Sequence, residues 1–481
     1  MSFNSFEFLI LVITFFFLYW KVFQKSLRLQ NVLVLVASYY FYGSWDWRFL
    51  SLLLLSTVLD FFLALKIQNA KNKEVKRFLI TLSILVNLGI LFVFKYFNFF
   101  IENAANLSEL VGLNFSYSSL QIILPVGISF YTFQTLSYTI DVYKGNLKAT
   151  DDFIAFASFV SFFPQLVAGP IERATNLLPQ FEKQRVFDYN EAVLGAKQML
   201  WGFFKKIVIA DNCAEQVNII FGSNEPLSGS AYLLGAMLFS FQIYGDFSGY
   251  SDIAIGVSRI FGIKLMNNFL YPYFSRDIAE FWRRWHISLS TWFRDYLYIP
   301  LGGNQTRKIL TFRNVLIVFL VSAFWHGANW TFIFWGLANA VFFLPLILTN
   351  KNRKFTKVVA EHSQFPMFKE FVSMIVTFVL VSLMWVFFRA ENIGQAFDIY
   401  SRIFSMSLFD SPHYVGMGFG KYLYVFLAFF ILIEWYGRRE TFAIERNIFK
   451  NVYFQIAFFY LIFISIIIYP GNEQRFIYFQ F

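Results

Sequence analysis

Apolar runs separated by short polar intervals recur along the whole chain, at about 6–23, 31–43, 49–65, 78–101, 120–140, 153–170, 191–211, 230–246, 315–349, 371–388, 421–436 and 453–469. A helix needs about 20 apolar residues to cross a bilayer, and the 315–349 run is long enough for one broken or two short crossings. Several runs fall short of a span, which suits tilted or re-entrant helices covered by protein or lining a wet cavity. The pattern predicts an all-α polytopic membrane protein with about 11–13 transmembrane or re-entrant helices. The first run, Phe6 to Trp20, has no Lys or Arg before it and no small-residue cleavage site after it, so it reads as a retained span. No linker, low-complexity tract or internal repeat divides the chain, and residues 1–481 are expected to form a single integral-membrane domain.

One interval breaks this monotony. From Arg276 to Tyr296, the residues Ile278, Phe281, Trp282, Trp285, Leu289, Trp292, Phe293 and Tyr296 recur at spacings of three and four, while Arg283, Arg284, Arg294 and Asp295 fall largely on other faces. That spacing predicts an amphipathic helix with an aromatic side, suited to the membrane boundary. His286 shares the face of Trp282, Leu289 and Phe293 rather than that of the charges.

Composition agrees with the pattern. Hydrophobic residues make up 57% and charged residues only 15%, too few to coat a soluble body of 481 residues. The net charge of +10 lies in short clusters between apolar runs, as cytoplasmic loops and anionic lipid demand, with no basic domain for nucleic acid. Lys21, Lys25 and Arg28 follow the first run, and Lys66, Lys71, Lys73, Lys76 and Arg77 follow the third. Both loops are expected in the cytoplasm, which puts the N-terminus outside. Cys213 is the single cysteine, so no internal disulfide or thiolate metal site can form.

The chemistry concentrates on two imidazoles. His326, in Phe324-Trp325-His326-Gly327-Ala328-Asn329-Trp330, sits in a nearly uncharged stretch, and an ionisable group within apolar membrane segments is a functional candidate by default. It could bridge helices through Asn329 or Ser322, or act as a general base in a water-poor pocket. His286 could be a satisfied core histidine or a second functional residue. His362 and His413 lie in polar connections and read as loop residues. No third ligand makes a metal site of His286 and His326, and neither a P-loop nor a G-x-S-x-G elbow is present. Gly245-Asp246-Phe247-Ser248-Gly249-Tyr250-Ser251-Asp252 fits a simple turn or a broken helix lining a polar cavity, and Leu124–Phe130 a kinked or closely packed segment.

Six stretches together resemble the membrane-bound O-acyltransferase family, in its bacterial branch of alginate O-acetyltransferases and their peptidoglycan and D-alanyl-transfer relatives. They are LPVGISFYTFQTLSYTIDVY from Leu124, FPQLVAGPIERA from Phe163, YGDFSGYSDIAIG from Tyr244, RDIAEFWRRWHISLSTWFRDYLYIPLGGN from Arg276, FWHGANWTFIFWGLAN from Phe324 and FIYFQF from Phe476. The resemblance implies a ring of helices around a central funnel or tunnel, His326 as catalytic residue and His286 as a second functional one. It further implies an activated acyl donor presented from the cytoplasm, acetyl-CoA or another acyl thioester, with no permanently bound cofactor. The acetyl group would pass to an exported alginate-like polysaccharide through an extracytoplasmic partner of the SGNH esterase-like class. Arg276, Arg283, Arg284, Arg307, Lys308 and Arg313 form a basic rim suited to coenzyme phosphates or lipid headgroups. Trp325, Asn329, Trp282, Trp285, Asp246 and Ser248 are the candidate tunnel residues, and Tyr478 a candidate acetyl relay. Peptidoglycan O-acetylation and teichoic acid D-alanylation would use the same chemistry, and a transporter or flippase would use none.

Overall fold

A computed structural model of the chain describes residues 3–113, 120, 123–167, 169–305 and 307–477. The described residues contain helices and connections and no strand. They sort into two compact units, residues 1–195 with 257–266, and residues 196–256 with 267–481.

In the first unit, α1 (Phe6–Phe17), α2 (Leu27–Asp46), α3 (Leu50–Asn69), α4 (Lys73–Leu91), α5 (Phe97–Leu110), α6 (Ile128–Lys144), α7 (Phe153–Ser161), the single turn α8 (Phe163–Leu166) and α9 (Ala174–Phe181) follow one another. Helix α6 packs against α3 and α4, and α7 against α2. Buried polar side chains stitch them together. Asp60 on α3 accepts hydrogen bonds from Ser83 Oγ (2.6 Å) and Asn87 Nδ2 (2.8 Å) on α4, and Ser56 Oγ meets Thr135 on α6 at 3.2 Å. Where lipid replaces water, such bonds hold helices that apolar contact alone would not distinguish from their surroundings.

The second unit takes up the chain within α10 (Tyr189–Phe203) and continues through α11 (Asp211–Phe221), α12 (Gly229–Ile260), the two-turn helices α13 (Ile278–Arg284) and α14 (Ile287–Phe293), α15 (Lys308–His326) and α16 (Trp330–Leu348). Beyond these lie α17 (Phe368–Arg389), α18 (Ile393–Ile403), α19 (Lys421–Gly437) and α20 (Val452–Ile468). Leu27–Asn69, Lys73–Leu110, Lys308–His326, Trp330–Leu348 and Phe368–Arg389 are long and apolar enough to cross a bilayer, and shorter apolar helices such as Val452–Ile468 accompany them. Helix α20 exposes Tyr453, Phe454, Leu461, Ile467 and Ile468, a face that lipid tolerates and water does not.

Two sequence expectations are corrected. The 245–252 segment is neither a turn nor a broken helix, because α12 runs through it unbroken. Its glycines serve helix packing: a Cβ at Gly249 would stand 2.8 Å from Gly202 O, and one at Gly245 2.9 Å from Lys205 O. Small residues there let two backbones approach closely. The aromatic helix expected across 276–296 is broken at Trp285-His286, where His286 has φ 43° and ψ 56°. Tertiary hydrogen bonds impose the break. Leu270 N–H donates to Arg284 O (3.0 Å) and Ile287 N–H to Asn268 O (2.9 Å), so both groups find partners outside any continuous helix.

Candidate active site

His326 is the last residue of α15, and the turn Gly327-Ala328-Asn329 reverses the chain into α16. The uncharged stretch is therefore two helices, with the imidazole at the turn between them. Asn329 starts α16 by accepting Thr331 N–H (3.0 Å) and donates its own amide to Glu391 O (3.1 Å). Gly327 has no room for a side chain, since a Cβ there would run into the Phe332 ring. The two helices pack tightly; a Cβ at Gly336 of α16 would stand 2.7 Å from Phe319 O on α15.

His286 reaches the same place from another direction. Both imidazoles line a cavity of about 160 Å³, walled by Trp282 and Trp285, by Leu289, Ser290, Phe293, Arg294 and Tyr298 after the kink, by Val315, Phe319 and Ser322 on α15, and by Phe343 on α16. Trp325 lies against both rings, its centroid 4.9 Å from that of His326 and 5.7 Å from that of His286. Trp335 and Phe388 flank His326 at 5.2 Å each, and Phe247 packs edge-on to His286 at 4.6 Å. His286 is 1% and His326 5% exposed. Burial pushes the His286 imidazole down to about 3, so at neutral pH it is the uncharged ring with one donor and one acceptor nitrogen.

A cavity of this volume matches one that takes a benzene-sized ligand, about 150 Å³. It has room for a thioester end and a hydroxyl, and not for a whole coenzyme. A larger groove of about 660 Å³ runs between Phe241, Tyr273, Phe274, Phe378, Ile431 and Trp435. It offers an apolar wall without imidazole or carboxylate.

The left-handed backbone of His286 is itself informative. Such a conformation costs a side-chain-bearing residue about 1–2 kcal/mol, and it persists where surrounding contacts impose it, often at functional sites. The kink turns the imidazole into the cavity, while Trp282 is anchored on the far side by donating to Asn339 Oδ1 at 3.1 Å.

The expected tunnel residues divide. Trp282 and Trp285 line the cavity and Trp325 packs on both imidazoles, whereas Asn329 is occupied as a helix cap. Asp246 does not line it: its carboxylate pairs with Lys206 at 2.8 Å and accepts Ile477 N–H at 2.7 Å, and Ser248 is buried on the same helix. Phe476 of the terminal segment packs 5.8 Å from Phe247, the ring that backs His286. Tyr478 lies outside the described residues.

Part of the basic rim is taken up by the fold. Arg276 pairs with Glu280 (2.9 Å) and Glu370 (2.7 Å), and Arg284 with Glu280 (2.9 Å). Arg283 donates to Asn352 O and Phe355 O, and Arg276 and Arg284 both reach Lys357 O. These three guanidinium groups fasten the polar 350–357 loop to α13. Lys308 donates to Leu348 O and Arg313 to Asn314 Oδ1, while Arg307 is exposed. The sequence reading passed over Arg294, Ser290 and Tyr298, which line the cavity. A signal existed: Ser290 and Arg294 stand four and eight residues beyond His286, on one helical face. Arg294, paired with Asp295 at 2.6 Å and half-exposed, brings a cation to the cavity.

Comparison with known proteins decides the family. Residues 149–386 match the model of MBOAT, the membrane-bound O-acyltransferase family. The chain is 40% identical over 422 residues to "Probable alginate O-acetylase AlgI" of Pseudomonas syringae pv. tomato, covering 86% of this chain and 79% of that one. It is 39% identical to the Pseudomonas aeruginosa protein of the same name (85% and 78%), and 36% identical to the peptidoglycan O-acetyltransferase of Helicobacter pylori (79% and 74%). The chain belongs to the membrane-bound O-acyltransferase family. As a member it is a multi-pass membrane protein and an O-acyltransferase. An apolar cavity holding two imidazoles is an arrangement such chemistry can use.

Proposed function

We propose that residues 1–481 act as one catalytic domain that takes an acetyl group from a cytoplasmic thioester, acetyl-CoA, and delivers it outward for O-acetylation of an exported, alginate-like polysaccharide. The observation that carries this reading is that His326, at the end of α15, and His286, at the kink between α13 and α14, line one largely apolar cavity. In the proposed step His326 accepts the proton of the attacking hydroxyl as its oxygen bonds to the thioester carbonyl carbon. The C–S bond then breaks, and the leaving thiolate takes the proton back from the imidazolium. Such general-base help is worth about 10²–10⁴-fold. His286 orients the acceptor or donates to the developing oxyanion, where a fixed donor in a dry site is most effective.

Arg294 at the cavity, with Arg307, Lys308 and Arg313 near the start of α15, supplies the positive charge for the coenzyme's phosphates. The loops after the first and third apolar runs face the cytoplasm of the cell membrane in this reading, and an SGNH-type extracytoplasmic partner passes the acetyl group to the polymer. The names of the Pseudomonas relatives favour alginate or a similar exopolysaccharide as acceptor. The Helicobacter relative supports peptidoglycan as a second reading.

The test is to replace the chromosomal gene by one encoding His326→Ala and to measure ester-linked acetate on each exported polymer. The proposal expects one polymer to fall to background while the variant accumulates in the membrane at the native level. Unchanged acetylation of every polymer in cells that carry the variant refutes it.

A further inference from the structure

The kink that carries His286 is held from one side by the connection between α12 and α13. Asn268 lies in the connection between α12 and α13, fully buried. Its backbone carbonyl accepts Ile287 N–H at 2.9 Å. Its side-chain Oδ1 accepts Ser288 Oγ–H at 2.6 Å, and its Nδ2 donates to Ser251 Oγ on α12 at 3.0 Å. Two residues later, Leu270 N–H takes the carbonyl of Arg284. The two residues that follow His286 are thus tied to Asn268, and Asn268 is tied to a rigid helix. Ser251 precedes Asp252, whose carboxylate pairs with Lys205 at 2.6 Å and accepts Gln198 Nε2 at 2.8 Å. The anchor therefore stands against a buried ion pair.

We infer that Asn268 is a positioning residue for acyl transfer: its side-chain amide couples Ser251 to Ser288 and so fixes the left-handed turn that aims His286 into the cavity. Asn suits the task because one planar group offers an acceptor toward Ser288 and a donor toward Ser251, where Asp offers only acceptors and Leu neither. Four atoms must sit in register for both bonds, and a loosened turn lets the chain from Arg284 to Ser290 relax toward the continuous helix its spacing prefers. The consequence for chemistry is a misaimed imidazole rather than a lost one, and misplacement by about 1 Å is enough to slow an enzyme about 10²-fold.

This inference rests on the acetyl-transfer reading for its kinetic arm only. The chain has four histidines, so imidazole signals of protein labelled with ¹³Cε1-histidine and purified in detergent can be assigned one by one through His→Gln variants. Asn268→Ala is expected to shift or broaden the His286 signal and leave those of His362 and His413 in place. It is also expected to lower kcat for acetyl transfer from acetyl-CoA at least tenfold with little change in KM. In a His286→Ala background the same substitution should change kcat by less than twofold. Ser288→Ala removes the Oδ1 bond from the other side, and repeats the test should Asn268→Ala fail to accumulate. An unmoved His286 signal, or an equal loss of kcat with and without the imidazole, overturns the inference. If His326 proves dispensable for acetyl transfer, the resonance still reports whether Asn268 sets the ring.

Discussion

Replacing His286 by Gly and by Ala separates a straight helix from the kinked one. In the interior of a straight helix Gly is less stable than Ala by about 1 kcal/mol. At φ 43° and ψ 56° the order reverses, because Ala retains the left-handed cost of about 1–2 kcal/mol and Gly escapes it. Both variants lose the same imidazole and leave cavities that differ by one methyl group, worth about 0.8 kcal/mol of burial in favour of Ala. The net expectation is that Gly equals or exceeds Ala by up to about 1 kcal/mol, whereas a straight helix would put Ala ahead by about 2 kcal/mol. Thermal unfolding of the two variants in one detergent, followed by a probe of tertiary structure, reads the difference directly. Ala clearly more stable than Gly would refute the kink and, with it, the path by which His286 reaches the cavity.

Lowering pH should also find His286. A buried neutral ring stabilises the fold fully above its unfolded value of 6.5, and that contribution drains away as pH falls toward about 3, since the unfolded chain takes the proton first. At pH 5 the loss is about 2 kcal/mol, and His286→Gln should flatten the fall in melting temperature between pH 7 and pH 5. Glu280, 1% exposed, accepts from both Arg276 and Arg284. Glu280→Ala should cost about 3–5 kcal/mol, as removal of one partner from a buried ion pair does, seen as loss of folded protein in membranes. Gly249→Leu should lower the melting temperature by forcing α12 off the Gly202 backbone, with a cost of at least about 1–3 kcal/mol.

The apolar runs that became Leu27–Asn69, Lys73–Leu110, Lys308–His326, Trp330–Leu348 and Phe368–Arg389 were legible as membrane-length helices because bilayer thickness sets their length whatever they pack against. Both imidazoles were legible for a related reason: a His on an apolar face stands out against its neighbours. The kink at His286 was not, since the three- and four-residue spacing of aromatics runs on unbroken from Ile278 to Tyr296. What breaks it is a set of hydrogen bonds from Asn268 and Leu270, tertiary partners that local periodicity does not record. The glycines at 245 and 249 looked like turn formers because the same residue type serves turns and close helix contacts. Arg276 and Arg284 looked like a free basic rim, yet each stands four residues from Glu280. That spacing marks ion pairing on one helical face and was the available clue that these cations serve the fold. Asp246 pairs with Lys206 and Ser248 is buried on the same helix, neither lining the cavity, and composition alone does not distinguish a buried, paired carboxylate from one that lines a tunnel.

In the proposed reaction His326 removes the proton from an attacking hydroxyl inside the cavity it shares with His286. The most direct measurement is the rate of thiol release from acetyl-CoA, with an acceptor alcohol present, by purified native protein and by His326→Ala of matched thermal stability. The expected fall is about 10²–10⁴-fold. A variant that releases thiol within twofold of the native rate would contradict it.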